Sequence, residues 1–156
     1  MTSAQLIGGR KRALARTCAL LTVAASLAAV ATPRRALAQG GACGLHTLRG
    51  SYIFAATGHN IVGGVPEPKA IVEAIDFNGD GTLIVPAATV SINGNISRSA
   101  GGVGVYTLDV ECRGTVTFTP GPSFDIFVGH PGKQAWMIQT NPNTVFQGTV
   151  TRVVVP

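Results

Sequence analysis

The sequence predicts an all-β fold: a small antiparallel meander closing into a β-barrel of about eight strands. Three observations carry this. After residue 38, short apolar or alternating runs recur every 8 to 12 residues. Gly, Asn and Pro clusters separate them. No window in that part has the spacing of an amphipathic helix of useful length.

The chain opens with a different kind of segment. Arg10, Lys11, Arg12 and Arg16 precede an apolar stretch over 17–32, and Ala36-Leu37-Ala38 follows. A basic region, an apolar core and small residues at −3 and −1 are the parts of an export signal. They predict cleavage between Ala38 and Gln39, a signal peptide over 1–38 and one barrel domain over 39–156. The apolar stretch is shorter than the roughly 20 residues of a spanning helix and is closed by Pro33. Stable membrane insertion after cleavage is therefore not expected. The only adjacent arginine pair, Arg34-Arg35, lies after the apolar core, and Cys43 lacks a Leu three residues upstream. The signal thus reads as Sec-type rather than twin-arginine or lipoprotein, with the periplasm or the medium as destination.

Removing the signal changes the charge balance. The full chain is formally +5, but residues 39–156 hold six Lys and Arg against seven acids, a charge of −1. The six cations are scattered, whereas nucleic-acid binding needs them clustered; a nucleic-acid partner is not expected. Those 118 residues suffice for one core. They keep two cysteines, Cys43 and Cys112. In an oxidising compartment such a pair reads as a disulfide, the alternative being two buried thiols. Closing a loop of about 70 residues contributes roughly 4 kcal/mol in the chain-entropy account.

The predicted strands are 51–57, 70–77, 82–85, 89–93, 103–111, 114–119, 123–128, 134–140 and 144–153, rich in Val, Ile, Thr and Phe. Asn78-Gly79-Asp80-Gly81 and Asn93-Gly94-Asn95 suit tight hairpins. Pro120-Gly121-Pro122, Gly129-His130-Pro131-Gly132 and Asn141-Pro142-Asn143 mark further reversals. Strands joined so tightly run antiparallel, and closure removes exposed edges. Alternation places Tyr52, Phe54 and Ala56 on one face, Tyr106, Leu108, Val110 and Cys112 on another, and likewise Val116 with Phe118 and Phe124 with Ile126 and Val128. Trp136 and Ile138 face away from Ala135, Met137 and Gln139. Phe127 and one of Trp136 and Met137 are expected to point outward.

Few residues offer chemistry. Glu73 shares a strand face with Ile71, Ile75 and Phe77. If that face is inward, its pKa rises and it can act as a general acid or base; if Ala70, Val72 and Ala74 are inward, Glu73 is solvated. Tyr106 is a second candidate proton handler. Asp76, Asn78 and Asp80, followed by Gly81, match the first half of a calcium loop, but the twelfth position is Ala87. The other reading is a turn whose Asp and Asn bond their own backbone. His46, His59 and His130 lie far apart with no metal-ligand spacing, and no serine sits in a nucleophile elbow. No cofactor is expected.

Three segments form an ordered series: Leu48-Arg49-Gly50-Ser51-Tyr52-Ile53-Phe54, Ile75–Leu83 and Gly104–Val116. Together they resemble a group of small exported bacterial proteins of unassigned activity, with an L-R-G-x-Y-x-F strand, an F-D-G-x-G hairpin and a strand pair ending in C-x-G-T. That group is similar in shape to the allene oxide cyclase and dirigent type of β-barrel. The resemblance implies a barrel with room for a central cavity, and it carries no activity or catalytic residue to this chain. Three functions fit the sequence: an exported barrel binding a small apolar ligand or serving as an envelope accessory, not an enzyme; a cofactor-free isomerase or cyclase using Glu73 or Tyr106; and a surface interaction module pairing through a strand edge. A cavity with an inward carboxylate would favour the second, and an apolar one the first.

Overall fold

The structure is a computed structural model, and it describes residues 42–154. The expected signal segment and its junction at Ala38 and Gln39 lie outside the described residues.

Nine strands follow a short 3₁₀ turn at Leu45–Thr47. They are β1 (Arg49–Val62), β2 (Val65–Asn78), β3 (Thr82–Ile92), β4 (Asn95–Ser99), β5 (Gly102–Tyr106), β6 (Arg113–Thr119), β7 (Ser123–Gly129), β8 (Gln134–Gln139) and β9 (Thr144–Arg152). Every pairing is antiparallel. β1 bonds to both β2 and β9, and β2 also bonds to β3, so the sheet closes. Eight strands form the barrel, because β4 and β5 share one edge of β3: β5 takes Thr82–Val85, and β4 takes Ala88–Ile92.

The inward faces follow the two-residue period. Tyr52, Phe54, Ile75, Phe77, Val116, Ile126, Met137 and Val150 are all but fully buried. Phe127 and Trp136 face out as a cross-strand pair, and Met137 faces in. Edge-to-face contacts tie the interior together. Tyr52, Phe77 and Tyr106 stack with ring centroids 5.3 and 5.0 Å apart. Phe124 contacts Phe54 at 5.6 Å and Phe118 at 5.9 Å. Each such pair adds about 1 kcal/mol beyond its area.

One end is sealed. Tyr106 shares its hydroxyl proton between the Leu45 and Leu48 carbonyls, at 2.8 and 3.0 Å, and Tyr52 donates to the Gly132 carbonyl at 2.7 Å. Cys43 and Cys112 form the disulfide, with Cα atoms 5.1 Å apart, and fasten the segment before the 3₁₀ turn to the start of β6.

Four strand assignments change. β1 and β2 run to a Gly63-Gly64 turn with φ of 58° and 82°, so residues 58–62 and 65–69 are strand beyond the expected limits of 57 and 70. The runs 82–85 and 89–93 are one strand, with a register shift against β2 between Ala74 and Asp76. Two β3 residues, Pro86 and Ala87, are outward in succession there, so Val85 and Ala88 are both inward. β4 follows the Asn93-Gly94 hairpin as a strand of its own. The run 103–111 stops at Tyr106, because the Asp109 carboxylate accepts from the backbone N–H groups of Glu111 and Arg113 and bends the chain. Leu108 is consequently half-buried and Val110 exposed rather than aligned with Tyr106.

Candidate functional site: a carboxylate in the barrel mouth

Glu73 faces inward. It pairs laterally with Phe54 on β1 and Ala88 on β3, one tightly packed and one small. The face holding Ile71, Ile75 and Phe77 is therefore the interior one, and the alternative with Ala70, Val72 and Ala74 inward is overturned. Glu73 is 8% exposed, the only charged residue buried among the described residues.

The end of the barrel opposite the disulfide holds a cavity of about 430 Å³. Ile71, Val85, Ala88, Val90, Phe118, Phe124 and Phe146 supply its apolar walls; Glu73, Lys69 and Ser99 supply its polar groups. The β4–β5 junction at Ala100-Gly101 and the prolines at 120 and 122 form its rim. The space has two local causes. The bulge at Pro86–Ala87 turns small Ala88 inward beside Glu73, and β4 parts from the wall where β5 meets β6.

Burial pushes the Glu73 carboxyl up to about 7, and the positive charge of Lys69 opposes that rise. No hydrogen bond to the carboxylate among the described residues offsets the burial. Lys69 lies on the same face of β2, four residues earlier. Its Nζ donates to Gln139 Oε1 at 3.1 Å and sits 4.3 Å from the Phe146 ring centroid. Burial lowers its pKa, and Glu73 partly restores it. The arrangement provides a carboxyl that can donate or accept a proton near neutrality, a nearby cation, and a greasy wall.

The other candidates lie elsewhere. Tyr106 is not part of this pocket; burial raises its pKa, and its hydroxyl is committed to the Leu45 and Leu48 carbonyls at the sealed end. Asn78 donates to Thr82 Oγ1, and Asp80 accepts from the Thr82 backbone N–H and hydroxyl, so the 78–82 segment is a self-bonded turn. Those bonds hold the Asp80 carboxyl below its ordinary range. Asp76 is half-buried on β2 before that turn, and no three His, Cys, Asp or Glu side chains converge on a metal position among the described residues. His46 and His130 line a shallow groove with Arg152, while His59 lies toward the other end. A wider groove of about 770 Å³ near Ser51, Lys133 and Arg152 is open and has no carboxylate in its lining.

Sequence reasoning missed Lys69, Gln139 and Phe146. The first was legible: Lys69-x-Ile71-x-Glu73 is a two-residue period. The other two come from β8 and β9, and only barrel closure brings them to β2.

No family model, curated protein or solved structure matches the chain. The class these observations define is a small closed antiparallel β-barrel with a disulfide-fastened base and a carboxylate-bearing pocket at the opposite mouth.

Proposed function

We propose that this is an exported barrel that takes a small, largely apolar molecule into its mouth pocket and sets the molecule's polar group against Glu73. One observation carries the reading: Glu73 is buried in a cavity of about 430 Å³ whose walls are mostly apolar. That volume lies in the range of small-molecule sites, which combine apolar walls with a few placed polar groups. The basic and apolar N-terminal segment, together with a disulfide, supports export to the periplasm or the medium. The ordered series from Leu48 to Val116 supports kinship with the small exported bacterial barrels of allene oxide cyclase or dirigent shape.

The inward carboxylate, with its pKa near 7, is the feature that favours the second reading named above, cofactor-free isomerisation or cyclisation. Binding stands first because the walls are mostly apolar and it needs no reaction beyond the pocket itself. A carboxyl poised at neutral pH can protonate a bound molecule at one atom and accept a proton from another. The apolar pocket would hold the reacting conformation. Mass spectrometry of small molecules retained by the protein from its native host tests both. A retained apolar molecule, lost from a folded Glu73→Gln variant, supports the binding reading. Conversion of that molecule to an isomer by wild type alone supports the second. A folded wild-type protein that retains nothing in repeated native preparations contradicts binding.

A further inference from the structure

We infer that the mouth of the barrel docks on a phospholipid bilayer, with its hairpin tips entering the headgroup layer. Antiparallel closure brings four reversals to the end where the pocket opens, over 61–66, 93–97, 119–123 and 139–145. None contains Asp, Glu, Lys or Arg. The tips instead expose aliphatic side chains: Val62 is 56% exposed, Val65 64%, Ile96 61% and Val145 65%.

The sealed end is the reverse. Its loops and the adjoining strand ends carry Arg49, Asp76, Asp80, Asp109, Glu111, Arg113, Lys133 and Arg152. Exposed apolar residues occur there too, Leu45, Val110 and Val154, but they stand among charges. What sets the mouth apart is the absence of charge around its aliphatics. Burying an ion in a bilayer interface is costly, whereas aliphatic tips among Asn, Ser, Thr and Gly are suited to the headgroup boundary.

The form of the surface also selects a lipid partner. The aliphatics are carried on separate hairpins around an opening, which matches a fluid medium better than the fixed relief of a protein. Behind the tips stand exposed Arg98 and half-buried Glu67, and inside the pocket Lys69 and Glu73. With Glu73 protonated, these groups leave one positive charge in excess, set back from apolar tips, which complements anionic headgroups. Docked this way, the pocket would open onto the membrane, and an apolar molecule could pass without crossing water. The contact is peripheral and leaves the barrel wall outside the hydrocarbon. It does not depend on which molecule the pocket holds.

Flotation with vesicles of phosphatidylcholine containing about one phosphatidylglycerol in four lipids tests the inference, using protein recovered after expression of the full chain. Wild type should float. Val62→Asp combined with Ile96→Asp should lower the bound fraction at least about tenfold, and Val110→Asp with Val154→Asp at the other end should leave it unchanged. Val62→Ser with Ile96→Ser gives a milder pair should the acidic one fail to fold, with an intermediate loss expected. All variants keep the same N-terminal segment, so differences between them report on the tips. A wild-type protein that does not float overturns the inference. So does flotation indifferent to the tip substitutions, or a tip-dependent dimer in solution without flotation. Retained small molecules measured on the same tip variants distinguish failure of docking from failure of the pocket reading.

Discussion

Glu73 and Lys69 share the inward face of β2, four residues apart, yet Lys69 turns aside to Gln139 and Phe146 rather than closing a salt bridge. The carboxylate keeps a cation near enough to feel but is left free of it. An ion pair would have held Glu73 charged at all physiological pH; burial without one brings its pKa to about 7.

Stability should therefore depend on pH through Glu73. Its folded-state pKa lies above the ordinary value of 4.5, so the folded protein holds the proton more tightly than the unfolded chain. Below about pH 4.5 both states are protonated and Glu73 imposes no penalty. Between 4.5 and 7 the wild type loses stability relative to Glu73→Gln, and above 7 the difference levels off at about 3 kcal/mol. Urea denaturation of both proteins from pH 4 upward checks this, with each difference referred to its value at the lowest pH.

Removing the neighbouring cation should raise the Glu73 pKa further. Lys69→Met deletes the one charge that opposes its rise, so the carboxyl should titrate at higher pH than in wild type. Carbon-13 nuclear magnetic resonance of labelled glutamate side chains reads the direction directly.

Tyr106→Phe separates the two tyrosine roles that the sequence left open. The hydroxyl serves two backbone carbonyls at the sealed end and is not part of the pocket. The variant should lose about 1 to 2 kcal/mol of stability and keep wild-type retention of small molecules. Loss of retention with unchanged stability would return Tyr106 to the list of functional residues.

Filling the pocket should weaken binding while the Glu73 carboxyl is kept. Ala88 sits directly across from Glu73 and lines the cavity. Ala88→Leu adds three carbon atoms to open space, so folding should be preserved while retention falls at least about tenfold. Circular dichroism with mass spectrometry on one preparation checks both.

Opening the disulfide should loosen the base. Replacing Cys43 and Cys112 together by Ser releases a loop of 69 residues in sequence separation. The expected loss is roughly 4 kcal/mol, measurable by chemical denaturation.

Most of the barrel was legible because its strands alternate cleanly and its hairpins carry the residues that positive φ requires. Asn93 and Gly94 take φ of 48° and 81°, the paired left-handed values of a tight hairpin. The outer half of the β1–β2 hairpin fell outside the predicted strands, although Pro66 and Pro68 occupy strand positions opposite Ile61 and His59. The inward face of β2 was undecidable from β2 alone, since each side is apolar apart from one acid, Glu73 on one and Asp76 on the other. Its neighbours decide it: Phe54 and Ala88 flank Glu73 from inside. The resemblance implied room for a cavity, but its place beside Glu73 was not legible, because it depends on the bulge at Pro86–Ala87 and on the departure of β4 from the wall, which no period reveals.

The most direct test is the Glu73 titration in the wild-type protein at equilibrium. A carbon-13 midpoint near pH 7 is predicted for this one carboxyl, well above the ordinary glutamate value of 4.5. A midpoint near 4.5 would place Glu73 in water and contradict the buried site on which the functional reading stands.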